Sequence, residues 1–151
     1  MFKEFNLENL ENSKELLENI LDENRKKIAD LLKIENKTYK NFVLPFQEIG
    51  ESLNDFLTPI FHIDSVKNSE ITTKVYEECI PVISKYETEI SQNESIYTAF
   101  KDIQSKEKST LNNIQNKVLE NEIRDFKLSG CHLEIDKKKR LEEISLRLSE
   151  L

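Results

Sequence analysis

Glycine, proline and cysteine are scarce in this chain of 151 residues, which holds two, three and two of them, and tryptophan is absent. So few turn formers argue against a strand-rich sandwich or barrel and favour long helices. Cys79 and Cys131 are too few and too far apart for a disulfide framework or a zinc ribbon, and both are expected as reduced thiols. The two glycines, Gly50 and Gly130, stand far apart, so no glycine-rich loop can cradle a phosphate. No uninterrupted apolar run approaches the roughly 18 residues of a membrane span, so no membrane partner is expected. Residues 1–17 alternate charged and apolar types without the apolar segment of a secretory signal, and the cytoplasm is the default location.

What the chain has in quantity is charge. Acidic residues number 29 against 22 basic ones, a net −7. A field of that sign repels phosphate backbones, so no nucleic-acid partner is expected. The length suits one domain able to bury roughly 68–70% of its unfolded surface.

The apolar residues recur at helical spacing, which predicts an all-α, antiparallel, bundle-like lobe of five to seven helices. A first helix is expected over residues 7–33 on Leu10, Leu17, Ile20, Leu21, Ile28, Leu31 and Leu32, with Glu8, Glu11, Glu15 and Glu18 on its wet face. A second starts at Tyr39 and carries Phe42, Phe46, Ile49, Leu53, Phe56, Leu57 and Ile60. Pro45 is harmless there only if it lies in the first turn, and Pro59 should kink or restart the helix near Thr58. Asn68 and Ser69 offer an N-cap for a third, whose stripe is Ile71, Val75, Cys79, Val82, Tyr86 and Ile90, with a bend expected near Pro81. A short fourth helix spans residues 95–104, and residues 105–109 read as a loop. The fifth, over residues 110–129, should bury Leu111, Ile114, Val118, Ile123 and Phe126. Gly130 supplies its left-handed stop. Asp136 is the expected N-cap of the sixth, in which Leu141, Ile144, Leu148 and Leu151 form an apolar seam with no stop signal after it. That seam should fold back on the domain or pair with a second molecule, giving self-association through the last helix.

No catalytic, cofactor or metal residue is assigned in this chain. His62 and His132 are its only histidines. They are distant in sequence, and neither stands in the H-E-x-x-H pattern that puts two ligands on one helical face. His62 is expected hydrogen-bonded near a helix end. Cys131 and His132 are adjacent, yet neighbouring side chains seldom face each other as nucleophile and base must. The basic run Lys137, Lys138, Lys139, Arg140 is flanked by carboxylates and reads as a solvated first turn.

Three ordered blocks carry a family resemblance. One is Arg124-Asp125-Phe126-Lys127-Leu128-Ser129-Gly130 with Arg140-Leu141-Glu142-Glu143-Ile144-Ser145-Leu146-Arg147-Leu148-Ser149-Glu150-Leu151. Another is His62, Ser65-Val66-Lys67-Asn68-Ser69, Tyr76-Glu77, Pro81, Ser84 and Tyr86. The third is Ile96-Tyr97-Thr98-Ala99-Phe100-Lys101-Asp102. From about Thr38 onward the chain resembles the amino-terminal part of the oligopeptidase A and thimet-oligopeptidase-like zinc metallopeptidases, and residues 1–37 match poorly. The resemblance implies that residues 1–151 are a single non-catalytic helical lobe of a cytoplasmic peptidase that degrades short peptides. It implies one wall of a substrate channel, with zinc bound by an H-E-x-x-H helix in a catalytic domain absent from this chain. It also implies a fragment or truncated product of a longer protein, whose following helices would cover the last seam. A reading of another class is a free-standing helical module whose groove binds a protein or an extended peptide.

Overall fold

The computed structural model describes residues 10–149, leaving aside the side chains of residues 145, 146 and 149. Six α-helices follow one another: α1 (Ser13–Leu32), α2 (Leu44–Val66), α3 (Glu70–Ser91), α4 (Glu94–Glu107), α5 (Asn113–Leu128) and α6 (Ile135–Ser149). No strand occurs among the described residues. The expected start of the first helix at residue 7, the wet-face position Glu8 and the seam residue Leu151 lie outside them.

Local chemistry sets most helix starts. Ser69 caps α3: its Oγ accepts the Thr72 N–H at 3.2 Å while Thr72 Oγ1 accepts the Ser69 N–H at 2.9 Å. Asn112 and Gln115 make the same reciprocal pair at α5, at 2.9 and 3.0 Å. Each pair satisfies two N–H groups that a helix start leaves without partners. The α5 stop is a Schellman motif at Gly130, with φ 78°. The Cys131 N–H donates to Phe126 O at 3.2 Å and the Gly130 N–H to Lys127 O at 3.1 Å, so the final carbonyls are occupied.

Prolines stand at the start of α2 and inside both α2 and α3. Pro45 lies in the opening turn of α2, but a π-helical turn over Tyr39–Val43 precedes it, capped by Thr38. The proline ring has no N–H and crowds the carbonyl four residues back, that of Asn41. The turn widens here, and the Leu44 N–H bonds the Tyr39 carbonyl. Both α2 and α3 remain helical through Pro59 and Pro81, so α2 does not restart near Thr58.

Helices α1, α2 and α3 pack up, down and up. One core joins Leu17 and Leu21 of α1 to Leu53, Leu57 and Ile60 of α2 and Val75, Cys79, Ile83 and Tyr86 of α3. A second core joins Ile28, Phe42 and Ile49 to Ile96, Phe100 and Ile103 of α4, Leu119, Ile123 and Phe126 of α5, and Cys131. Phe100 is its centre. Its ring meets Phe42 at 5.8 Å and Phe46 at 5.4 Å edge-on, and Phe126 at 5.8 Å tilted. Burying a phenylalanine completely contributes about 1.5–3 kcal/mol.

Several expectations need correction. Helix α4 extends to Glu107, so most of the expected loop at residues 105–109 is helical. In α3 Val75, Cys79 and Tyr86 are buried as expected, but Thr72 and Ile83 join them, Val82 and Ile90 are half-buried and Ile71 is exposed. In α5 Leu119 is fully buried, whereas Ile114, about 140° around the helix from it, is 77% exposed. Helix α6 begins at Ile135, and it is the Glu134 carbonyl that accepts the Lys138 N–H, so Asp136 sits inside the first turn instead of capping it.

Candidate functional site

A groove whose walls carry polar and charged groups lies between the end of α1 and the exposed side of α4. Its volume is about 480 Å³, with Leu32 and Ala99 among its apolar lining and Lys37, Glu94, Thr98 and Asp102 among its polar lining. The Lys37 Nζ donates to the Ile34 carbonyl at 2.7 Å, which holds a cation just past the α1 C-terminus, where the helix dipole favours one. At the other wall Asn93 caps α4, its Oδ1 accepting the N–H groups of Ser95 at 3.0 Å and Ile96 at 3.1 Å. Glu94 pairs with Lys138 of α6, whose side chain is only 17% exposed. That hydrogen bond, first, and the charge of Lys138 hold the Glu94 carboxyl below its usual range.

Lys138 therefore departs from the solvated first turn expected for the basic run. Lys137, Lys139 and Arg140 do lie exposed, as that reading holds. With Leu141, Lys138 fastens α6 to the body: a Cβ placed on Gly130 would stand 2.8 Å from Leu141 Cδ2 and 2.7 Å from Leu133 Cδ1. Beyond that anchor the seam opens, with Ile144 43% and Leu148 65% exposed.

A second polar cluster ties α1 to α3. The Arg25 Nε and Nη2 donate to Glu89 Oε2 at 3.0 and 2.8 Å, and Nη1 donates to Asp22 at 2.9 Å. The same guanidinium lies 5.3 Å from the centre of the Tyr86 ring. Hydrogen bonding to Glu89, above all, raises the Arg25 pKa. Next to it Asn24 is buried at 1% exposure and faces the Tyr86 hydroxyl, whose pKa burial raises and the Asn24 amide partly lowers. Sequence periodicity gives no sign of Asn24, because a polar residue at a core-facing position breaks the apolar pattern by which cores are recognised.

None of this is a nucleophilic or metal centre. Cys131 is fully buried while His132 is exposed, so the two adjacent side chains part company. Burial pushes both the Cys131 and the Cys79 thiols up, away from the thiolate. His62 stands exposed near the end of α2. Among the described residues no three His, Cys, Asp or Glu side chains converge as a metal site. No described helix is long and apolar enough to cross a membrane.

The family model of the neurolysin/thimet oligopeptidase N-terminal domain matches residues 17–138. The chain belongs to this family. It is 38% identical over 136 residues to oligopeptidase A of Haemophilus influenzae, a match covering 89% of this chain and 20% of that protein. It is 39% identical over 115 residues to oligopeptidase A of Escherichia coli, covering 76% and 17%. A probable cytosolic oligopeptidase A of Arabidopsis thaliana is 27% identical over 133 residues, covering 87% and 19%. The chain thus spans a fifth or less of the curated relatives it matches. The match begins at residue 17, so most of α1 belongs to it, although residues 1–37 carry little of the resemblance.

Proposed function

We propose that this oligopeptidase N-terminal domain is the non-catalytic lobe of a cytoplasmic metallo-oligopeptidase that degrades short peptides, and that it forms one wall of the substrate channel. The observation that carries the reading is the family match over residues 17–138 in a chain similar to oligopeptidase A proteins about five times its length. The site chemistry is consistent with a wall. The groove beside α4 alternates apolar floor with Lys37, Thr98 and Asp102, groups that hydrogen-bond an extended backbone without attacking it. The residues here do not suit zinc, since His62 and His132 stand on separate elements without converging carboxylates. Zinc and its ligands would therefore come from the rest of the enzyme.

The test is peptide cleavage by the full-length protein. Short fluorogenic peptides should be cleaved in a chelator-sensitive reaction, longer peptides and folded proteins should be spared, and the 151-residue chain alone should cleave nothing. Cleavage by this chain, or a full-length protein inert toward every short peptide, would overturn the reading.

A further inference from the structure

The groove between α1 and α4 carries two opposite charges that the domain leaves unpaired. Lys37 is half-buried, and its Nζ donates to the Ile34 carbonyl at 2.7 Å but meets no carboxylate among the described residues. An ammonium has three N–H donors, so two stay available. Asp102, on the α4 wall, likewise has no cationic partner among the described residues. Glu94 is already held by Lys138, so the described lining offers one unpaired charge of each sign.

Size narrows the ligand. The α4 residues of the lining, from Glu94 and Ser95 to Asp102, recur at steps of three and four and so share one face. That face is about 12 Å long at about 1.5 Å per residue, the span of roughly three or four extended residues at about 3.3 Å each. The volume of about 480 Å³ falls within the roughly 300–1,000 Å³ of pockets that take small ligands.

We propose that this groove binds a free peptide of about two to four residues as a zwitterion, its carboxylate on Lys37 and its ammonium on Asp102. The Ser95 and Thr98 hydroxyls then face its backbone, and Leu32 and Ala99 its side chains. A ligand of one sign meets a repulsive group here, and the middle of a longer chain brings no terminal charge to either residue. Hydrolysis of a peptide bond consumes one water and leaves one new carboxylate and one new ammonium, so the short products of a peptidase belong to this class. The inference rests on the reading of this chain as one lobe of a peptidase, and it names what that wall retains: the short product.

Trialanine, its amino-terminally acetylated form, its carboxamide and the doubly blocked form are titrated calorimetrically against the 151-residue chain and against Lys37→Met and Asp102→Asn. Both cores of this chain are closed by its own residues. Trialanine should bind with a Kd on the order of 0.1–1 mM, as suits a ligand of that size. Amidation and Lys37→Met should each weaken binding by about tenfold, and together by no more than either alone, because they remove the two sides of one contact. Acetylation and Asp102→Asn should pair in the same way. Doubly blocked peptide that binds as tightly as trialanine overturns the proposal, as do losses that multiply within a pair, or no binding at all. Should the chain alone fail to fold, deuterium uptake of residues 94–102 in the full-length protein makes the same comparison: trialanine slows it in the parent and not in Lys37→Met. Uptake that trialanine leaves unchanged, or slows equally in both, overturns the proposal. Peptide cleavage by the full-length protein reports the functional reading independently: binding without cleavage sinks that reading alone, and cleavage without binding sinks the groove alone.

Discussion

The backbone N–H of Tyr39 donates to Oε2 of Glu107 at 2.7 Å, joining positions 68 apart in sequence. Tyr39 opens the π-helical turn, so its N–H has no partner within the helix, and the last residue of α4 supplies one. Glu107→Ala leaves that buried residue's donor unpaired. It should cost about 1–3 kcal/mol, read as a lower urea midpoint with unchanged slope, whereas Glu107→Gln should cost less because it keeps an acceptor. Equal stability of the two variants would show that the contact contributes nothing.

The two glycines should respond with opposite signs. Gly130→Ala forces a side chain into a left-handed conformation and within 3 Å of Leu133 and Leu141, and should destabilise by at least about 1–2 kcal/mol while loosening α6. Gly50 sits inside α2 with nothing within 4 Å of an added Cβ. Gly50→Ala should therefore stabilise by about 0.5–1 kcal/mol. Thermal unfolding checks the pair, and a shared sign would contradict the assignment.

Half-buried Glu122 gives the fold a pH dependence. Desolvation by burial raises its pKa, partly offset by a hydrogen bond with Gln47, with Asp125 adding to the rise. A folded value above the unfolded one means that the stabilisation is complete below the unfolded pKa and is lost as pH rises through the folded pKa. Glu122→Gln should match the parent near pH 4 and be the more stable protein at pH 7, with the gap opening between those values. A gap that opens toward acid instead would refute the burial account.

Arg25→Lys tests the tie between α1 and α3. A lysine keeps the charge but loses the planar fork that grips Glu89 and lies over Tyr86. Because the guanidinium is partly exposed, the loss should be modest, about 0.5–1 kcal/mol at low salt, and smaller at high salt. A double-mutant cycle with Glu89→Gln measures the coupling, and zero coupling at low salt would mean the pair is ornamental to stability.

The sequence discloses what depends on a few neighbouring residues and withholds what depends on distant ones. Gly130 and Ser69 are legible because a left-handed stop and a hydroxyl cap are settled within one turn. Ile114 misleads because it is spaced four residues before Val118 at the edge of the apolar stripe, on the side of α5 away from Ile123. Leu119 lies about 140° around the helix from Ile114 and shares the buried face with Ile123 and Phe126. Glu107 looks like loop until Tyr39 is brought beside it, and Asn24 is invisible until Tyr86 is packed against it. At the candidate groove no motif announces Lys37 or Asp102, since their meeting depends on how α1 and α4 pack.

The division of the interior into two cores, with α1 contributing to both, bears on the order in which the molecule can be made. All members of the first core have emerged once residue 91 leaves the ribosome, whereas the second waits for Cys131. During synthesis at about 5–20 residues per second, a three-helix nascent chain can therefore close while Phe42, Ile28 and Ile49 still lack their α4 and α5 partners for a few seconds. That interval is when the nascent chain is stickiest. Nascent chains arrested with α1–α3 outside the exit tunnel and α4 and α5 still inside should accordingly bind a hydrophobic-surface chaperone more strongly than chains carried on a C-terminal linker until Cys131 has also cleared the tunnel.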